Sequence, residues 1–241
     1  IQKLPSFDYF SQNWDHRYKN WLPFYWENFQ QTTFYTYRIE DLSDPENVWK
    51  TFKNSVRTDI RKAKNRFNLT VRTDLSITDF IKLNFKVFKR QGLKLPYSKE
   101  FILKLDSACQ KHNCRKIFLA QDQKGNICAG CYIVWDESSA YYLMGGVDKS
   151  YENSGATSLC LWEAIKFSSS VTKSFDFEGS MIKRLERFFR SFGTTQTPYY
   201  SLNKIPSRVL YTKFLLKRPK SNLSSLLNLV VIAGITPLHS I

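Results

Sequence analysis

The stretch from Ser139 to Ser180 constrains this 241-residue chain more than any other. It reads as a strand, a glycine break, a helix and a second strand. Ala140 to Met144 is apolar and aromatic, as a strand through a core should be. Gly145 and Gly146 are expected to end it, because glycine allows positive φ and lets a ligand approach bare backbone. After a polar loop, Ser154, Gly155, Ala156 and Thr157 open a helix, with Ser154 expected at its N-cap. The free N–H groups and partial positive charge of a helix start suit phosphate or another anion. Leu159, Cys160, Leu161, Trp162, Ala164, Ile165 and Phe167 make that helix apolar on most sides, so it is expected to be buried. In the strand that follows, Ser174 to Glu178, alternation puts Phe175 and Phe177 on one face and Asp176 and Glu178 on the other. Two carboxylates beside an anion site point to acid–base chemistry. The plainer reading pairs them with Lys183, Arg184 or Arg187.

Asp41 to Phe67 predicts one long helix, with Trp49, Phe52, Val56, Ile60, Ala63 and Phe67 as its apolar stripe and Asp44 or Ser43 with Pro45 at its start. Lys50, Lys53, Arg57, Arg61 and Lys64 recur at three and four beside it. Like charges four apart repel mildly, so this row implies an anionic partner or an ordinary solvated face. The whole chain carries a formal charge of +15, which attracts phosphates, nucleic acid or anionic lipid without choosing among them. Ser76 to Arg90 and Ser98 to about Asn113 read as further helices, Lys116 to Trp135 as a hairpin, and Thr197 to Leu202 as a last strand. His112 is expected exposed at a helix end. Five cysteines suggest no disulfide framework. Cys128 and Cys131 lie in a strand pattern and are expected on opposite faces, so no metal site is expected.

The segments MGGVDKSYENSGATSL, FDFEGSMIKRLERFFRSFG and PYYSL resemble the GNAT-type acyltransferase domain of the Fem-like group, over roughly Trp21 to Lys204. That group includes the transferases that add amino acids to peptidoglycan precursors on lipid II. The resemblance implies an α+β GNAT-like fold, a mixed and mostly antiparallel central sheet flanked by helices. It implies residues 1–37 as an aromatic-rich remnant of an N-terminal region, 38–204 as the acyltransferase domain and 205–241 as a basic, then apolar, tail. Starting at Ile1 without a signal-peptide pattern, the chain is expected to be a fragment or a processed form. The aromatics of 1–37 are expected either to line an acceptor groove or to form core and interface. The tail is read as a membrane-surface contact, a packed helix or a disordered end.

The expected activity is transfer of an activated acyl group to a primary amine. Glu178, with Asp176 second, is the candidate base. Gly145, Gly146, Ser154, Gly155, Ala156 and Thr157 are candidates for holding the donor, and Arg57, Arg61 and Lys62, by resemblance of NSVRTDIRKAK, for holding a phosphate-bearing substrate. GNAT enzymes that use acyl-CoA usually carry Gln or Arg where Glu152 stands here, and Glu repels pyrophosphate. The donor, acyl-CoA or aminoacyl-tRNA, is a substrate; no permanently bound cofactor is expected. The acceptor is expected to be an amine, as on a lipid-linked peptidoglycan precursor, and the location cytoplasmic with peripheral contact at the inner membrane face. The alternative is a non-catalytic module binding RNA or a phospholipid-type anion on a degenerate GNAT fold.

Overall fold

The computed structural model describes residues 4–206 apart from 91, 93–96 and 180. Its strands are β1 (Phe10–Asn13), β2 (Gln30–Ile39), β3 (Thr70–Arg72), β4 (Arg115–Gln121), β5 (Ile127–Trp135), β6 (Ser139–Val147), β7 (Ser174–Asp176) and β8 (Thr195–Lys204). Its helices are α1 (Leu22–Trp26), α2 (Pro45–Thr51), α3 (Asn54–Asn65), α4 (Ile77–Arg90), α5 (Lys99–Lys111), α6 (Ala156–Ser168) and α7 (Lys183–Arg190). The strands form one sheet in the order β1-β8-β2-β7-β6-β5-β4-β3. Neighbours are antiparallel except β6 and β7. A parallel pair needs a crossover, and α6 supplies it. The boundary expected at 37/38 falls inside β2, and the tail from 207 onward lies outside the described residues.

Alternation along β5 divides the core between the two faces. Cys131 and Ile133 join α3, α6 and α7, with Phe52, Leu159 and Phe189. Tyr132 and Val134 join α4 and α5, with Phe80, Ile102 and Met144. The buried character expected of α6 holds: Leu159, Cys160, Leu161, Ala164 and Ile165 are all sealed from solvent. Helix starts follow their caps. Asp44 accepts from the N–H of Glu46 and Asn47, and Ser98 from Phe101. Ser76 and Asp79 bond reciprocally as a capping box.

Three expectations are corrected. The helix read over 41–67 is two helices, because Phe52 and Lys53 are extended. The Phe52 ring is buried between Trp162 and Phe192, and the Lys53 N–H donates to the Ser191 carbonyl. Burying a Phe is worth about 1.5–3 kcal/mol, enough to offset an interrupted helical ladder. Gly145 and Gly146 do not end β6; they pair with Cys131 and Gly130, and the strand runs on to Val147. Cys128 and Cys131 do not face apart, because the register shifts near Cys128 and both thiols join the cluster with Cys160.

At the amino-terminal end, β1 pairs with β8, and Trp14, Phe24, Phe29 and Phe10 pack edge to face. Tyr18, Tyr25 and Trp26 stay exposed, so the aromatic-rich segment is partly a small satellite core and partly surface.

Candidate active site

The seam between β6 and β7 opens after three residues. Ser139, Ala140 and Tyr141 pair with Ser174, Phe175 and Asp176. β6 then continues to Val147, while the other chain turns toward β2. The Phe177 N–H donates to the Tyr37 carbonyl at 2.9 Å, and the Phe177 ring enters the core against Phe189 and Phe192. Burial of Phe177 therefore pulls the chain off β6. Glu178 and Gly179 complete the turn at φ 60° and 71°. A side chain at 179 would place its Cβ 2.1 Å from the Tyr35 carbonyl oxygen, so only glycine fits there.

Left of a partner, β6 also bulges: Ile133 faces Tyr142 and Tyr132 faces Met144, so Leu143 is the extra residue. The Asp148 N–H bonds the Cys128 carbonyl at 2.8 Å. By antiparallel alternation the backbone groups of Gly145 and Val147 therefore face the open edge.

The two carboxylates sit at the seam with different surroundings. Asp176 is buried and saturated. It accepts from Arg38 Nη1 at 2.8 Å, from Thr36 Oγ1 and from the Glu178 N–H at 2.8 Å. Neither carboxylate takes the cationic partners considered from sequence: Asp176 pairs with Arg38, and Arg184 pairs with Glu152. Glu178 is half-buried, and its carboxyl makes no hydrogen bond or ion pair among the described residues. Burial first, then the charge of Asp176, pushes its pKa up to about 8, against the opposing pull of Arg38. The two do not alternate along one strand as expected, since β7 ends at Asp176 and Glu178 lies in the left-handed turn.

Several residues at the site carried no sequence signal. Arg38 and Thr36 come from β2, well over a hundred residues from Asp176. Tyr199 of β8 is buried nearby, its phenol pushed up by burial and by the charges of Glu178 and Asp176. Asp15 and His16 approach from the segment after β1, which the Trp14 N–H anchors to the Tyr200 carbonyl at 2.7 Å. Burial first, then Arg38, push the His16 imidazole down, against the pull of Asp15 and Asp176. Strand alternation in 31–39 marks the face that carries Arg38, but nothing local names its partner.

At the start of α6, Gly155 rather than Ser154 holds the N-cap position, at φ 82°. The Ser154 hydroxyl still accepts from the Ala156 N–H at 3.2 Å. A Cβ at 155 would meet the Asp59 carbonyl at 2.1 Å, so glycine lets α3 close on the start of α6. Thr157 is half-buried beside it. Arg57 and Arg61 lean toward α2: Arg57 donates to the Lys50 carbonyl at 3.3 Å and Arg61 lies 5.9 Å over Trp49. Lys62 turns instead to Asp59 at 2.7 Å. The structure thus separates Lys62 from the arginine pair. Two shallow surface depressions are found, one lined by Lys64, Thr70 and Glu163 and one by Arg38, Asp41 and Asn47. No His, Cys, Asp and Glu grouping among the described residues could hold a metal ion.

Residues 50–178, more than half of the chain, match the family model described as an acetyltransferase (GNAT) domain. The chain belongs to the GNAT family. This GNAT chain is similar in fold to the crystal structure of FemX, at 14% identity and a TM-score of 0.61, over 74% of this chain and 63% of that one. It is also similar to the C-terminal domain of a putative lysylphosphatidylglycerol synthetase from Agrobacterium fabrum (11% identity, TM-score 0.57, 87% of this chain and 70% of that one). L-PGS from Bacillus licheniformis gives 13% identity and a TM-score of 0.54, over 89% and 69% of the two chains. None of the curated proteins matches the sequence significantly. The GNAT chain spans about 63% of the length of FemX. The expected α+β fold and Fem-like resemblance stand on these findings.

Proposed function

We propose that this GNAT domain transfers an aminoacyl group from aminoacyl-tRNA to a primary amine, and that the seam between β6 and β7 is where it does so. The observation that carries the reading is Glu178: a carboxyl without a partner among the described residues, pushed up to about 8, where the chain leaves the edge of β6. An amine attacks only when neutral, so a base must take its proton, and the best base has a pKa near the working pH. Asp176 holds Arg38 and the Glu178 backbone in place rather than moving protons. The N–H of Gly145 at the open edge supplies a hydrogen bond to the oxyanion, and the start of α6 takes a phosphate.

Glu152 favours aminoacyl-tRNA over acyl-CoA as donor. It is exposed on the loop before α6, with Arg184 as its cation, and it opposes pyrophosphate. Arg57 and Arg61 supply cations for a phosphate-bearing substrate. Fold similarity to FemX and to lysylphosphatidylglycerol synthetase supports a lipid-linked acceptor, such as a peptidoglycan precursor, and with it a cytoplasmic location touching the inner membrane face.

The test is release of tRNA from alanyl-tRNA, and of CoA from alanyl-CoA, with lysine-bearing peptide and lipid-linked precursor as acceptors. Turnover of alanyl-tRNA, reduced about 10²–10⁴-fold in Glu178→Gln with the fold intact, is the expected result. Binding of RNA that weakens steeply with salt, with no turnover of either donor, would instead make the chain an anion-binding module.

A further inference from the structure

Helix α5 ends at Lys111 in a Schellman turn. Asn113 takes the left-handed conformation there, at φ 52°. The Cys114 N–H donates to the Cys109 carbonyl at 3.0 Å, and the Asn113 N–H to the Gln110 carbonyl at 3.0 Å. A turn of this kind folds the chain back so that the side chains at its two ends meet, and the contact between them is commonly apolar. Here both ends are cysteines. The Cys114 thiol donates to the Cys109 carbonyl at 3.5 Å, and the two thiols lie within hydrogen-bond reach of each other. Both are free.

Access separates this pair from the other thiols. Cys128, Cys131 and Cys160 are sealed in the core, at 1% exposure or less. Cys109 is 7% exposed and Cys114 is half-buried, so a small reagent from solvent meets Cys114 first. A second contact holds the two thiols in register. Asp106 of α5 accepts from Arg115 Nη2 of β4 at 3.2 Å and from the Tyr132 hydroxyl at 3.0 Å. The helix turn before Cys109 is thereby tied to the residue after Cys114.

We propose that Cys109 and Cys114 are a redox modification site, oxidised reversibly to an intramolecular disulfide by a low-molecular-weight disulfide such as glutathione disulfide. The assignment does not depend on the transferase reading. The Cys114 thiolate attacks one sulfur of the small disulfide, and one small thiolate leaves. Cys109 gives its proton to solvent, and its sulfur attacks the Cys114 sulfur of the mixed disulfide, expelling the second small thiolate. The protein sulfurs lose two electrons, and the small disulfide is reduced to two thiols. Burial, then the charge and hydrogen bond of Cys114, pushes the Cys109 thiol up to about 11, so it stays protonated while Cys114 is free. Once Cys114 is modified its sulfur carries no charge, and the opposing pull of Arg115 remains. Oxidation therefore starts at the accessible thiol and ends at the buried one.

The test equilibrates the whole chain with mixtures of reduced and oxidised glutathione, folded and in urea, traps free thiols by alkylation and digests with trypsin. Trypsin cuts after Lys111, between the two cysteines, so the disulfide appears as residues 105–111 linked to 112–115. The linked peptides should form in the folded chain at an oxidant level about tenfold or more lower than in urea. By linkage the oxidised chain should then melt about 3–6 °C higher than the reduced one. Cys109→Ser should carry glutathione on Cys114 and give no linked peptides. An equal oxidant requirement in the folded and unfolded chains overturns the assignment, since the turn would then bring nothing together. So does a folded wild type that stops at the Cys114 adduct, or one that links either cysteine to Cys128, Cys131 or Cys160. A melting temperature lowered by oxidation overturns it as well.

Discussion

On the face of the sheet that carries α4 and α5, strands β4 to β6 bury Ile117, Leu119, Tyr132, Val134 and Met144 against Phe80 and Ile102. On the same face β2, β7 and β8 present Thr36, Arg38, Asp176 and Tyr199, and none of their residues joins that apolar cluster. One half is scaffold by hydrophobic burial. The other is a polar network held by charge-assisted hydrogen bonds, and the division runs along the β6–β7 seam. A site that must hold a raised carboxyl needs a rigid, water-poor surround, and the Arg38–Asp176 pair supplies rigidity where apolar packing would leave no polar group to work with.

The comparison can be broken from the polar side first. Arg38→Met should cost about 3–5 kcal/mol, because it strands the buried Asp176 carboxylate without its cation. A urea titration reads it; a loss near 0.5 kcal/mol would mean that water already screens the pair.

Next comes the pH dependence of stability. Glu178 binds its proton more tightly folded, at about 8, than at its ordinary 4.5. Between those values the folded state holds a proton that the unfolded state has released, so stability is full below 4.5 and is lost as pH rises through about 8. The melting temperature should fall from pH 5 to 9 in wild type, and Glu178→Gln should flatten that fall. A variant in the scaffold half, Phe80→Ala, should lower the whole curve by about 3–5 kcal/mol without changing its slope.

The smallest effect has the opposite sign. Asn84 of α4 is buried, and neither its amide oxygen nor its nitrogen has a partner among the described residues. Asn84→Leu replaces it with an apolar group of similar shape, which is neutral or stabilising when no hydrogen bond is lost. The melting temperature should hold or rise by about 2–4 °C; a clear drop would show that the amide is satisfied by water.

Much of the scaffold half was legible in the sequence, because its signals are local. The hairpin of β4 and β5 follows from its turn residues, with Gly125 at φ 85°. The capping box at Ser76 and the cap at Ser98 lie within three residues of their donors. The seam was legible only in outline. The stretch 139–180 marked it, and Glu178 is found there with its carboxyl unpartnered among the described residues. The partner of Asp176 lies 138 residues away, and no period or spacing reports such a contact. The helix break at Phe52 and the glycine at 146 were misread for the same reason: a tertiary contact, with Phe192 and with Val87 respectively, overrode the local pattern.

The most direct measurement is kcat/KM for alanyl-tRNA as a function of pH, in wild type and Glu178→Gln. The account predicts a wild-type rate that rises with pH and levels off near 8, as the Glu178 carboxyl loses its proton and becomes a base. It predicts that the variant lacks that limb and runs at least about a hundredfold slower. A variant that keeps both the limb and the rate would contradict it, and would move the proton transfer to another group.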